Sequence, residues 1–313
     1  NGQYRPIFRR QVAGLDAASG RVQLDVPLRY PAKLRDQAAL RRTSGYLSRC
    51  GVEDLGISNA VDYATAWTQV RVHAIEMTNV KDSWIRGVAS FAAPQPEAQG
   101  YHLQNGGLLI KESKRVTIAD THLAKAQNRG DGGSGYLYEV YTSNEVLIRD
   151  SEGVAGRHNF IQNWDFGTTG CVFLRDRSAA GLAFATIDDK YPQTGTSEFH
   201  HSLAMACLID SNVIEDGWAA RNRLYESTNA GVTATQTVFW NSQGNGRLYS
   251  YQSGDGYVIG TRGLTVYTEL SDLPGVRATA PEDFHEALDD GARLEPQSLY
   301  DDQLRRRLAR KGR

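Results

Sequence analysis

Cysteine is scarce: the 313 residues contain three, Cys50, Cys171 and Cys207, far apart and in none of the spacings that a structural zinc requires. Neither a disulfide framework nor a metal centre is expected from them, and each reads as a small buried apolar side chain. No run of eighteen or more apolar residues occurs, which excludes a membrane-spanning helix. An excess of one charge is also missing. Lys and Arg number 35 against 36 Asp and Glu, so the fold as a whole lacks the positive field of a nucleic-acid or anionic-membrane binder. Basic residues cluster only at the end (Arg305, Arg306, Arg307, Arg310, Lys311, Arg313), where a solvated tail is the expectation. Helical periodicity is nearly absent before residue 280, and Asn-Gly hairpin signals and propeller-blade signatures are scarce.

What is present is an ordinary globular composition, 40% hydrophobic and 23% charged, and a short repeat. Two strand-forming residues at alternate positions are followed two further on by Asp or Asn: Val116-Thr-Ile118-Ala-Asp120, Val146-Leu-Ile148-Arg-Asp150, Val172-Phe-Leu174-Arg-Asp176, Ala206-Cys-Leu208-Ile-Asp210 and Thr237-Val-Phe239-Trp-Asn241. Successive Asp/Asn positions lie roughly 26 to 34 residues apart, in the range of stacked supersecondary units. Period-two alternation puts the first and third residues of each copy on one strand face. The Asp or Asn ends the strand because its side chain suits turn geometry. Strands this short need partners above and below, which stacked coils provide. The expected fold is therefore all-β, a right-handed parallel β-helix with a short C-terminal helical segment, and Ile118, Ile148 and Leu174 are expected to form one inward row.

Residues 1–50 read as a strand (Val22–Val26) and an extended entry segment, the stump of a longer N-terminal region; residues 51–270 as the solenoid; and residues 271–313 as a C-terminal cap or tail. In that last part Pro281–Leu288 and Ser298–Arg310 read as helices. The sequence opens on Asn1 rather than Met and contains no signal peptide, so it reads as processed or trimmed, and the expected location, secreted or cell envelope, follows from the fold class alone.

The repeat resembles the coils of the pectate-lyase-like superfamily of parallel β-helix proteins, whose enzymes are polysaccharide lyases and glycoside hydrolases; segments such as Gly51-Val-Glu-Asp-Leu55 and Ser143–Asp150 carry the likeness, over roughly Gly51 to Thr268. The resemblance implies a polysaccharide ligand, and a monomer or a homotrimer. It rests on repeat architecture. Asp188-Asp189 stands without the Asn-Thr-Asp and Gly-His-Gly segments of polygalacturonase-type hydrolases, and the Trp-Ile-Asp-His and Arg-x-Pro-x-x-Arg patterns of classical pectate lyases are missing. Calcium is not indicated, and no cofactor is expected.

Counting from the Asp markers brings two polar columns into register. One holds Gln127, Asn128 and Arg129, then Arg157, His158 and Asn159; the other holds Lys111 and Glu112, Glu139 and Tyr141, then His200 and His201. These types suit β-elimination on a uronic-acid polymer, where a base removes the proton next to a carboxylate while cations stabilise the enolate-like charge. His201, His158, Arg157, Glu139, Lys111 and Tyr141 are the candidate catalytic residues. Gln127, Asn128, Arg129, Asn159, Tyr138, His200 and Trp218 are the candidate substrate-binding ones. Glu139, Asp165, Glu198, Glu215 and Asp216 supply carboxylates enough for a glycosidase pair, the alternative chemistry. A third reading is a non-catalytic glycan-binding tailspike-like or adhesin solenoid.

Each has a bland counterpart. The Asp/Asn markers serve turns, Glu139 could be a solvated strand residue, and Arg157-His158-Asn159 a buried hydrogen-bonded cluster. Trp164, Trp218, Trp240, Tyr249 and Tyr251 could stack on sugars or pack the core. The glycine-rich Arg129–Gly135 lacks the Lys-Ser/Thr of a phosphate loop and reads as a flexible border to the groove. Metal binding by Glu198, His200 and His201 is disfavoured because adjacent strand residues point to opposite faces.

Overall fold

A computed structural model describes residues 7–130, 132–164, 166–182, 195–201, 203–269 and 280–311. Asp165 and the Asp188-Asp189 pair lie outside them. The chain is a parallel β-solenoid: an eight-stranded parallel sheet faces a larger sheet that bends round a corner into two flanks. The eight-stranded sheet runs His73–Thr78, Gly106–Lys111, Tyr136–Tyr141, His158–Asn163, Ser197–Phe199, Gly217–Ala220, Arg247–Ser250 and Thr265–Tyr267.

One corner is built the same way coil after coil. Asp54, Gly87, Asp120, Asp150, Arg175, Ser211, Asn241, Gly260 and Ala287 each follow a ladder-paired residue and each adopts the left-handed conformation, with φ between 47° and 69°. A residue with a Cβ loses about 1–2 kcal/mol there. The offset is that the corner never leaves the ladder. The N–H groups of Asp54, Gly87, Asp120, Asp150, Arg175 and Ser211 each donate to a carbonyl of the next coil at 2.8–3.2 Å. Asp and Asn tolerate the left-handed region best, which is why they recur in the repeat.

The Asp/Asn markers themselves are only partly in step. Asp120, Asp150 and Asn241 occupy the corner, but Arg175 and Ser211 hold it in the two coils between, so Asp176 lies one residue past it and Asp210 one residue before. The inward row is accordingly Ile85, Ile118, Ile148, Phe173, Ile209, Phe239 and Val258. Leu174, expected in that row, pairs instead with Arg149 and Asp210. A shift of one residue moves a side chain to the other face, and the apolar run Val172-Phe-Leu174 carries no parity to fix it.

Just inside the corner runs a buried polar ladder. Thr121 and Ser151 share a hydroxyl hydrogen bond of 2.9 Å, Ser151 N–H donates to Asp176 Oδ1 at 2.9 Å, and Asp176 N–H donates to Asn212 Oδ1 at 2.9 Å. Stacking polar side chains in line lets each satisfy a backbone group of the neighbouring coil.

The described residues on either side of the solenoid return to the stack. Before it, Val12–Asp16 and Arg21–Leu24 form an antiparallel hairpin, which the single strand expected there did not anticipate. Lys114 anchors this segment through Asp25 at 2.8 Å and the carbonyl of Arg9 at 2.9 Å. At the other end Phe284–Glu286, within the expected helix Pro281–Leu288, is a strand paired in parallel with Tyr257–Ile259; partners on the open coil edge outweigh its acidic, helix-start composition. Helix Leu299–Lys311 forms as expected. It lies against several coils rather than over the last alone: Asp210 accepts from Ser298 Oγ at 2.9 Å and from Tyr300 N at 2.7 Å, and Arg175 pairs with Asp301 at 2.9 Å.

Asp176 yields a stability prediction. Burial pushes its carboxyl well above the ordinary value of 3.8, and Oδ2 has no partner. A carboxyl whose native pKa is raised favours folding below its unfolded pKa and costs stability as the pH rises from there through the native value. Asp176→Asn keeps the Oδ1 acceptor and removes the charge. Thermal unfolding is expected to show a gain of about 1 kcal/mol at neutral pH, shrinking to nothing as the pH falls toward 3.8; a gain independent of pH would contradict this account.

Candidate functional site

The outward row of the eight-stranded sheet reads Glu76, Leu109, Glu139, Ile161, Glu198, Ala219, Tyr249 and Tyr267 in register. Lys111, Tyr141 and Asn163 form a second outward row beside it. Polar and aromatic groups concentrate where the strands Tyr136–Tyr141, His158–Asn163 and Ser197–Phe199 meet. Two glycines permit this approach. A Cβ on Gly156 would stand 2.7 Å from Leu137 Cγ, and one on Gly195 would stand 2.3 Å from the carbonyl oxygen of Arg157. Any larger residue at Gly195 would force the Glu198 strand away from its neighbour.

Glu198 is the hub. Its Oε1 lies 3.5 Å from His158 Nε2 and 3.4 Å from Arg223 Nη1, and meets His200 Nδ1 in a short contact; its Oε2 lies 3.8 Å from Arg221 Nη2. Burial opposes the carboxylate, but the charges of His158 and His200 once they are protonated, the His200 hydrogen bond and the Arg223 guanidinium outweigh it and hold the Glu198 carboxyl well below the usual carboxylate range. Glu226 balances the two arginines at 3.5 and 3.4 Å.

The imidazoles are held in the neutral form. Burial takes His158 down to about 3, Glu198 opposing and Arg157 assisting. Burial likewise lowers His200, and takes His201 down to about 4 with help from His200 and Arg223. The His158 tautomer is fixed: Nδ1–H donates to the Thr196 carbonyl at 2.5 Å, so Nε2 carries the lone pair. Tyr136 sits 5.2 Å from the His158 ring and beneath the Arg157 guanidinium at 5.9 Å. Burial raises its phenol to about 12, so it stays protonated. His201 stacks on Trp164 with ring centroids 4.1 Å apart and planes 13° from parallel.

Several sequence-predicted residues thus share one face: His158, His200, His201, Arg157, Glu139, Lys111 and Tyr141. Glu139 is a buried, bonded group rather than a solvated one, with His73 Nε2 at 2.9 Å from Oε2 and Asn163 Nδ2 donating to Oε1 at 2.9 Å. Lys111 lies over the Tyr141 ring at 5.3 Å. Others are placed elsewhere. Tyr138 and Trp218 are core residues, each stacked on Phe160, and expose no surface to a ligand. Asn159 points inward to Ser178, the Ala179 carbonyl and Asp216. Gln127 bonds Val61 and Asn128 bonds the carbonyls of Ala66 and Gln69, tying down the 61–69 segment, while Arg129 bonds the carbonyls of Ala126 and Gln127 in its own segment and lies over the Trp67 ring at 5.9 Å. The two amides replace the backbone pairing that an irregular segment lacks. Of the remaining carboxylates, Glu215 pairs with Arg177 on another flank and Asp216 is interior.

Sequence reasoning missed His73, Tyr136, Arg221 and Arg223. Tyr136 was within reach, two residues before Tyr138 and three before Glu139. Arg221 and Arg223 come from beyond the strand after Glu198, where no marker was counted. Glu198 and His200, two apart, share a face, and the third group beside them is His158 from the adjacent coil rather than His201, so that one ligand atom from each falls within 4.8 Å of the others. Comparison with protein-family models, with curated proteins and with solved structures found no match, so the functional reading rests on the residues of this face.

The His73–Glu139 contact is buried on both sides. His73→Ala is expected to destabilise the protein by about 1–3 kcal/mol in denaturant unfolding, since it leaves Glu139 with Asn163 alone. A change below about 0.5 kcal/mol would mean that the pair contributes nothing net.

Proposed function

We propose that this face binds an acidic polysaccharide and cleaves it by β-elimination. The observation that carries the reading is the company Glu198 keeps: neutral imidazoles, a protonated phenol and three guanidiniums on one face of adjoining coils. Arg157 and Arg221 are partly exposed and take the uronate carboxylate, Arg doing so bidentately. Neutralising that carboxylate acidifies the neighbouring C–H. His201, unprotonated at neutral pH, removes the proton; the bond to the glycosidic oxygen breaks as the double bond forms, and Tyr136 returns a proton to the leaving oxygen. Lys111 and Tyr141 flank the chain at one end of the face. The stacked pair Tyr249 and Tyr267, with ring centroids 5.0 Å apart and planes 10° from parallel, offers an apolar platform at the other.

Hydrolysis is the second reading, favoured by one spacing: Glu139 and Glu198 stand two ladder steps apart, about 9.5 Å between backbones, near the upper bound for an inverting pair. It lacks an acid. A glycosidase acid needs a raised pKa, and the described carboxyls raised in this chain, Asp176, Asp210, Asp216 and Asp283, are tied into bonds away from this face. The right-handed sense proposed for the solenoid agrees with the strong right-handed preference of parallel crossovers; membership of the pectate-lyase-like kind and a place in the cell envelope or outside it are proposed with it from the fold class alone.

Incubation with uronate-containing and neutral polysaccharides tests this. Expected is ultraviolet absorbance from an unsaturated uronide, with turnover lowered about 10²- to 10⁴-fold in folded His201→Ala and raised KM in Arg157→Ala. Reducing ends without that absorbance would support hydrolysis, and binding without products an adhesin.

A further inference from the structure

We infer that His158, Glu198 and His200 form a site for one divalent transition-metal ion of the zinc class. The first observation is the donor set. Two imidazoles and a carboxylate, from adjoining coils and all buried, bring one ligand atom each within 4.8 Å of the others. Two histidines and a glutamate leave the fourth position of a tetrahedral ion open, as in zinc sites that carry a water or a substrate oxygen.

The second observation is independent of the first. His158 Nε2 is buried and has no hydrogen-bond partner. Its lone pair faces Glu198 Oε1 at 3.5 Å, because Nδ1–H is committed to the Thr196 carbonyl. Two acceptors turned toward each other in a dry site repel unless a cation lies between them. Ligand atoms bound at 2.0–2.1 Å to a tetrahedral ion stand about 3.3 Å apart, close to this separation. The Thr196 carbonyl is also the support that a ligating histidine ordinarily has: it fixes the tautomer and aims the ring.

Glu198 and Glu226 offset Arg221 and Arg223 at 3.4–3.8 Å, which limits the positive charge that an ion would meet here. Arg223 Nη1 lies 2.7 Å from His200 Nδ1 and also donates to the His200 carbonyl at 3.1 Å. When Nδ1 turns to the ion, the carbonyl retains the guanidinium. His201, although adjacent in sequence to His200, contributes its ring to Trp164 and is no member of the trio.

The site shares Glu198 and its imidazoles with the β-elimination reading but does not depend on it, and it is measured without any polysaccharide. Full-length protein, stripped with chelator and dialysed, is titrated with Zn²⁺ by calorimetry and with Co²⁺ by visible spectroscopy. Expected are one equivalent of Zn²⁺ per chain and the intense ligand-field bands of tetrahedral Co²⁺. His158→Ala and the near-isosteric Glu198→Gln should each weaken binding about 100-fold or more, with folding checked by circular dichroism. His122→Ala, which removes a half-buried His–Glu pair on another flank, should change nothing. Absence of stoichiometric Zn²⁺ binding by the wild type overturns the inference, because a proton then bridges His158 and Glu198. Binding that survives both Glu198→Gln and His158→Ala, or that is lost with His122→Ala, overturns it equally.

Discussion

The structure depends on a turn that does not interrupt its hydrogen bonds. In nine successive coils one residue at the same corner takes the left-handed conformation, and in six consecutive coils its N–H is seen to reach the carbonyl of the next coil. The conformational cost is real for every residue except glycine, and it is met because the alternative, a corner whose polar groups lose the ladder, costs more. Once the corner is fixed, parity along each adjoining strand is fixed too, and the inward row from Ile85 to Val258 follows.

The same constraint sorts the polar side chains into two populations with opposite electrostatic fates. Those just inside the corner, Thr121, Ser151, Asp176 and Asn212, satisfy backbone groups and one another; charge is a burden there, and Asp176 is pushed toward its neutral form. Those pointing out of the eight-stranded sheet meet neighbours one coil away. Glu198 keeps its charge despite burial because the Arg223 guanidinium, the His200 hydrogen bond and, on acidification, the protonated imidazoles of His158 and His200 converge on it. Burial alone therefore does not decide a carboxyl's state in this fold; the sign of what stands on the next coil does.

The solenoid was legible in the chain because its repeat advertises strand parity and a turn former together, as at Val116–Asp120 and Thr237–Asn241. It blurred where the turn position accepted another residue. Arg175 and Ser211 occupy the corner without resembling Asp, and the nearest Asp on either side drew the alignment off by one. Counting brought Lys111 and Tyr141 together with the His200-His201 pair but set Arg157 and His158 in a separate column, which the structure merges with the first where the His158 and His200 rings meet at 5.3 Å. Asn159, Tyr138 and Trp218 fell on the wrong side of the sheet. Arg221 and Arg223 were beyond the method, because their approach to Glu198 is set by the path of a connecting segment rather than by a strand register.

Because the corners carry the ladder, the segments between them are spared the task of holding coils in place. The carboxylates and His158 stand on rungs of the eight-stranded sheet, whereas Arg221 and Arg223 follow the strand Gly217–Ala220, so part of the charge on this face is written in a stretch whose length and composition can change while the rungs stay put. A scaffold of this kind can exchange one ligand for another by editing its loops, with its thermal stability left to the interior.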